Sequence, residues 1–162
     1  MYTNIYVLTT ADAHTVERFL YRYVDRVQLI KTQKLKVLAR PPSNSTSKRH
    51  IDVTFQNLEE LVSAGLAKEY VFNVILPPLD KSFQNASVAF SGDGNLVVGL
   101  QFNMETPIDY QMYCLNTLAR EFCASVGIIG SELYPPLNID EFIEVAGRPW
   151  ATYFSQTLNK RN

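Results

Sequence analysis

The side chains in this chain that could do chemistry are few and scattered. His14 and His50 are its two histidines, and neither has a second ligand beside it at zinc or copper spacing. Cys114 and Cys123 lie nine residues apart in one expected helix. At ~100° and ~1.5 Å per residue they would sit on opposite faces about 13 Å apart, as separate buried or half-buried thiols. The adjacent carboxylates Glu59-Glu60 and Asp140-Glu141 would point ~100° apart on a helix, as a solvated face does, so neither pair shares a cleft. No Gly-x-Ser-x-Gly elbow, phosphate-binding Gly-x-x-x-x-Gly-Lys loop or His-Glu-x-x-His pair occurs. Gly92-Asp93-Gly94 joins two expected strands and opens no helix, so its amides lack the dipole that anion binding uses. Gly127 to Glu132 follows a helix end, the wrong pole for the same task. The residues call for no cofactor and no metal.

The elements that position these residues are plainer. Ile5–Thr9 is apolar on both faces and reads as a central strand. Asp12 caps a helix whose stripe is Val16, Phe19, Leu20, Tyr23, Val24 and Val27, with Arg18, Arg22 and Arg26 on another face. Leu29 to Leu38 alternates with lysines and is expected as one or two short edge strands. Residues 41–49, rich in Pro, Ser and Asn, form an expected flexible loop. Ile51, Val53 and Phe55 alternate as a strand, Asn57 caps a short helix through Leu66, and Tyr70–Leu76 is β-prone up to Pro77-Pro78.

The second half holds a hairpin, Ser87–Ser91 with Leu96–Phe102 across the Gly-Asp-Gly turn. A long helix is expected from a Thr106 cap to Val126, stopped by Gly127, with Ile108, Met112, Leu115, Ala119, Phe122 and Val126 as its stripe. Ile139 to Val145 is expected as a short helix, and Trp150, Tyr153 and Phe154 as a cover. Both halves run strand, helix, small-residue exit and Pro-Pro-Leu (Pro77–Leu79, Pro135–Leu137). Alignment of the halves needs gaps, so a degenerate internal repeat stays open. The expected fold is a single α+β domain over 1–162, a mostly antiparallel sheet with two or three helices on one face, as a two-layer sandwich.

At 162 residues and 46% hydrophobic, the chain is long and apolar enough for one core without metal or disulfide staples. No apolar run approaches the ~20 residues of a membrane-crossing helix, and the N-terminus lacks a secretory pattern. A cytoplasmic protein without a membrane partner is expected. Asn44-Ser45-Thr46 and Asn85-Ala86-Ser87 match glycosylation sequons and are read as loop composition.

Charge is the feature above background. Residues 1–50 carry nine Lys or Arg against three Asp or Glu, and the remainder six against thirteen. Arg18, Arg22, Arg26, Lys31, Lys34 and Lys36 with Tyr21 and Tyr23 could face nucleic acid, but a pI near 6.1 argues against it. The acidic counterpart is Glu132, Asp140, Glu141 and Glu144, interleaved with Leu133, Tyr134, Leu137, Ile139 and Phe142. Carboxylates around aromatic and aliphatic anchors suit a basic protein, because charge steers encounter and buried anchors supply affinity.

In this layout, over residues 86–143, the chain resembles immunity proteins of bacterial polymorphic-toxin systems: small and α+β, with a hairpin and helix followed by the Glu132–Pro136 exit. The resemblance implies a non-catalytic module that binds and blocks a toxin through Glu132, Tyr134, Asp140, Glu141 and Glu144. The near-neutral total charge departs from the strongly acidic form of many such proteins. Two other classes stay open: a small enzyme using Glu132, Tyr134 or Arg148, and an assembly subunit with exposed apolar surface around Trp150 and Phe154. Oligomeric state is left unassigned.

Overall fold

The computed structural model describes residues 2–31, 34–40, 49–136, 138–146 and 151–155, with backbone only for 146 and 151–155. Trp150, Arg148, Leu137, the Asn44 sequon and most of the expected loop lie outside them. The strands are β1 (Thr3–Thr10), β2 (Leu35–Arg40), β3 (Ile51–Phe55), β4 (Val71–Leu76), β5 (Phe83–Phe90), β6 (Asn95–Phe102), β7 (Val126–Ser131) and β8 (Ala151–Ser155). The helices are α1 (Ala13–Tyr23), α2 (Arg26–Lys31), α3 (Leu58–Leu66), α4 (Ile108–Glu121) and α5 (Ile139–Ala146). All eight strands join one sheet in the order β3-β2-β4-β5-β6-β1-β7-β8, and every pairing is antiparallel.

The fold is therefore α+β, as the alternation of strand and helix patterns implies. β6 and β7 each pair antiparallel with β1, so they run parallel to each other with β1 between them and α4 as their crossover. Taken alone, β1-α1-β5-β6-α4-β7 in spatial order β7-β1-β6-β5 is the split-βαβ, ferredoxin-like arrangement. The segment β2-β3-α3-β4 is inserted after α2 and lengthens the sheet beyond β5. It contains a second split crossover, β3-α3-β4, whose gap is filled by its own β2, whereas β1 fills the gap between β6 and β7. The two halves share the crossover and differ in the strand that fills it.

Alternation along the central strands separates two cores. Ile5 and Val7 face α1, α3 and α4, packing with Phe19, Leu20, Leu61, Leu115 and Leu118. Tyr6 and Leu8 face the other way, with Val97, Ile128 and Phe142 of α5. Three helices cover one face as expected, and α5 adds a partial third layer on the second.

Several local expectations are corrected. Leu29 and Lys31 lie in a helix, because the Asp25 carboxylate accepts the Gln28 N–H and starts α2. An alternating run of so few residues fits either period. β2 is interior, and β3 forms that edge. Asn85 sits in β5 and not in a loop.

α4 begins one residue after Pro107, which provides no side-chain cap; the Gln111 amide reaches back to the Thr106 carbonyl instead. It ends at Glu121, and Val126 and Gly127 belong to β7. The stop is Cys123 in the left-handed region (φ 48), with Cys123 N–H on the Arg120 carbonyl and Ala124 N–H on that of Ala119. Cys123 is exposed as a result, and Ile108 is exposed rather than part of the core stripe.

α3 ends in the same way at Lys68 (φ 59), with Lys68 and Glu69 N–H on the Gly65 and Ala64 carbonyls. Side chains with a Cβ are strained there and glycine is not. Lys68→Gly and Cys123→Gly are each expected to raise stability by roughly 0.5–1 kcal/mol, read as a higher denaturation midpoint at unchanged slope.

Two of the three expected caps are present, and the third, Thr106, is not the cap of α4. Asp12 accepts the Thr15 N–H at 2.8 Å, and Asn57 accepts the Glu60 N–H at 2.8 Å. The Thr15 backbone hydrogen bond holds the Asp12 carboxyl below its ordinary range. On acidification the unfolded chain therefore takes up this proton first, so the contribution of the cap is complete above about pH 4 and is lost as pH falls through the lower folded value. Asp12→Asn keeps the cap and removes its titration. The stability difference between wild type and this variant should shrink on going from pH 6 to pH 3, measured by urea midpoints.

Candidate functional site

The second face of the sheet is built in rows by strand register. One row runs Asn73, Ala89, Val97, Leu8, Val126; the next Ile75, Ser87, Gly99, Tyr6, Ile128; the third Asn85, Gln101, Asn4, Gly130. Phe142 of α5 packs against Leu8, Ala89 and Val97, so the helix covers the first row. Asn73 at the end of the first row, with Ile75, Ser87, Tyr6, Asn85, Gln101 and Asn4 of the lower two, forms the floor of a hollow of about 140 Å³, walled by Leu133, Tyr134 and Pro135.

Amides line that floor. Asn4 is buried and its Nδ2 donates to the Leu133 carbonyl at 3.1 Å; the Tyr6 hydroxyl donates to the same oxygen at 3.0 Å. The Tyr6 ring lies where a Cβ on Gly99 would come within 2.3 Å of it, so glycine is required opposite. Burial pushes the Tyr6 phenol up, which keeps it a neutral donor. Asn85 Nδ2 donates to Gln101 Oε1 at 2.8 Å. Asn73 Oδ1 is buried without a hydrogen-bond partner.

The acidic residues singled out from sequence surround this hollow unevenly. Tyr134 lies on its rim, 88% exposed. Glu132 follows β7 with φ 54, its N–H bonded to the Tyr2 carbonyl and its side chain exposed. Asp140, Glu141 and Glu144 lie on α5, where Asn138 caps the helix by accepting the Glu141 N–H at 2.8 Å. Glu141 pairs with Arg40 of β2 at 3.0 Å, which ties α5 to the inserted segment. Asp140 and Glu144 are exposed, beside exposed Ile139 and Ile143.

Asn4, Asn73, Asn85, Ser87 and Gln101 were missed from sequence. Their signal is an isolated polar residue in a largely apolar strand, Asn4 in β1, Asn73 in β4 and Gln101 in β6, with Asn85 and Ser87 alternating in β5.

The arginines Arg18 and Arg22 of α1 and Arg26 at the start of α2 are engaged internally. Arg26 holds Glu17 through two hydrogen bonds of 2.7 and 2.8 Å, which hold the Glu17 carboxyl below the usual carboxylate range. Arg22 pairs with Glu121 of α4 at 2.8 Å, Tyr23 donates to the same carboxylate at 3.0 Å, and Arg18 lies 5.5 Å over the Phe122 ring. The Arg22, Tyr23 and Arg18 contacts fasten α1 to α4, and the Arg26–Glu17 pair ties α2 to α1.

A larger open groove of about 570 Å³ runs between α2 and the β3–α3 turn, lined by Leu29, Ile30, Leu35 and Leu58. Its Arg26 and Glu17 satisfy each other. Among the described residues no three His, Cys, Asp or Glu come together as metal ligands, and no helix is long and apolar enough to cross a membrane. The class defined by fold and site is an α+β sheet protein with a half-open, amide-floored second face. Compared with protein-family models, curated proteins and solved structures, the chain has no match.

Proposed function

We propose that this chain is a non-catalytic protein-binding module that engages a basic protein partner across the open half of its second sheet face, as an immunity protein holds a toxin. The observation that carries this reading is the make-up of one continuous surface. Exposed Tyr134 and Ile75 rim a small polar hollow, and α5 beside it presents Ile139 and Ile143 among Asp140, Glu141 and Glu144. Aromatic and aliphatic anchors at the centre with carboxylates around them give affinity and steering to a cationic surface.

The size of the hollow favours a side chain of a partner over a whole small molecule at this place. Small-molecule sites run to about 300–1,000 Å³, whereas about 140 Å³ accommodates a single side-chain head. The assembly reading draws on another surface: Tyr110 and Tyr113 stack on the exposed side of α4, with Met104 and Ile108 exposed near them.

The test uses immobilised full-length chain to capture a partner from its native host, followed by calorimetric titration of the purified pair. The reading expects a basic protein, bound one to one, whose own activity is suppressed in proportion to occupancy. A recovered protein that binds while keeping its full activity would leave a binding module without the blocking role.

A further inference from the structure

We propose that the helical face carries a second contact surface, for another copy of this chain: two α4 helices pack antiparallel about a two-fold axis, away from the face assigned to the partner. Of α1, α3 and α4, which cover this side of the sheet, α4 is the one whose outer side complements itself. α1 uses Glu17, Arg18 and Arg22 in contacts within the chain. α3 carries Glu59 and Glu60 with no cation, so its copies repel.

The outer side of α4 is a line of four residues, Asp109, Tyr113, Asn116 and Arg120, opposite the buried Leu115 and Leu118. Steps of four, three and four residues keep them within ~60° of one another around the helix, at the spacing of a helix–helix seam. Both charged ends face outward without engagement. Among the described residues Asp109 has no ion-pair partner, and Arg120 has no carboxylate, only a 3.4 Å hydrogen bond from its Nε to the Asn116 carbonyl of the same helix.

The four positions are symmetric about the point between Cys114 and Leu115. An antiparallel second α4 therefore sets its Arg120 against Asp109 and its Asp109 against Arg120, with Tyr113 of each copy over Asn116 of the other. A parallel copy would set like charge against like. At ~1.5 Å per residue the two Tyr113 side chains stand about 4.5 Å apart along the helix axis, so they meet at the two-fold.

The helix dipole by itself accounts for an acidic first turn and a basic last turn. It does not account for a tyrosine 61% exposed between them on the same line, stacked on Tyr110 at 6.3 Å. An aromatic anchor flanked by complementary charge is the make-up of a contact surface, and a two-fold pair uses it up with no open end. The contact runs ~17 Å along one helix per copy. That is less than a standard interface of about 1,200–2,000 Å² requires, so the pair dissociates on dilution. It leaves the second face of each copy open, and the dimer presents two partner sites.

The test is sedimentation equilibrium of the full chain from about 10 µM to about 1 mM, the range in which a weak pair populates both states. The average mass should climb from one chain toward two, less steeply in high salt. Asp109→Arg and Arg120→Asp each turn both ion pairs into like-charge contacts, and each should weaken the dimer by about tenfold or more. Mixed in equal amounts, the two variants should pair with each other as wild type pairs with itself, because the arginines of one then face the aspartates of the other. Both positions are exposed, and circular dichroism checks the fold. Tyr113→Ala, with a similar expected loss, serves where either variant does not fold.

A wild-type chain of single mass over the whole range would overturn the dimer. So would variants that associate as wild type does, or a mixture no more associated than its components. The readout needs no partner, so its failure leaves the binding reading standing, and failure to capture a partner leaves the dimer.

Discussion

Leu115→Ala and Phe122→Ala are each expected to lower unfolding free energy by about 2–5 kcal/mol, through lost burial and the cavity left behind. Leu115 is fully buried, and its Cδ1 lies 3.0 Å from where a Cβ on Gly127 would stand, so α4 and β7 are packed with no slack at that point. Phe122 is almost as buried and holds three neighbours at once: Phe19 edge-on at 5.7 Å, Tyr23 at 6.3 Å, and the Arg18 guanidinium. Ile108 on the same helix is 60% exposed, and Ile108→Ala should stay within about 0.5 kcal/mol of wild type. Urea midpoints for the three variants check the contrast. Equal effects at Leu115 and Ile108 would mean that α4 is turned on its axis.

The second large effect is on association. Asp140→Lys with Glu144→Lys is expected to slow binding of the captured partner by about tenfold or more and to flatten the salt dependence of the rate. Glu141 is left in place in this variant. A lysine there would face Arg40 in place of the present 3.0 Å ion pair and would loosen α5 from β2, confusing a binding effect with a folding one. An unchanged on-rate would move the steering charge off α5.

What the sequence makes legible follows from how local the signal is. Asp12 and Asn57 are read correctly as caps because a cap bonds to an amide three residues on. β1 is read as central because Ile5, Tyr6, Val7 and Leu8 are apolar on both faces, and the Gly92-Asp93-Gly94 hairpin because its turn needs positive φ at two glycines.

The misreadings arise where the deciding contact is short of signal or distant. Nothing in the type of Cys123 or Lys68 announces a left-handed helix exit that glycine ordinarily fills, and so the helix expected from sequence runs on to Val126. α2 carries Val27 and Ile30 at helical spacing, yet it buries no residue, so its pattern competed with a strand reading of equal length. The hollow lies furthest from local reach. Asn4, Asn73, Asn85 and Gln101 come from four strands, and their meeting depends on β1 entering between β6 and β7 and on β4 lying beside β5. Of the site residues read from sequence, Tyr134 lines the hollow, and the α5 carboxylates lie on the helix that covers the adjoining row.

Hydroxyl-radical footprinting of the chain with and without its captured partner separates the two faces most directly, because each bears exposed aromatic and aliphatic side chains. On the second face these are Tyr134, Ile75 and Ile143; on the helical face they are Tyr21, Tyr110 and Tyr113. The account predicts strong protection of Tyr134, Ile75 and Ile143 in the complex, with Tyr21, Tyr110 and Tyr113 as reactive as in the free chain. Protection of the helical tyrosines while Tyr134 and Ile75 keep their full reactivity would contradict it.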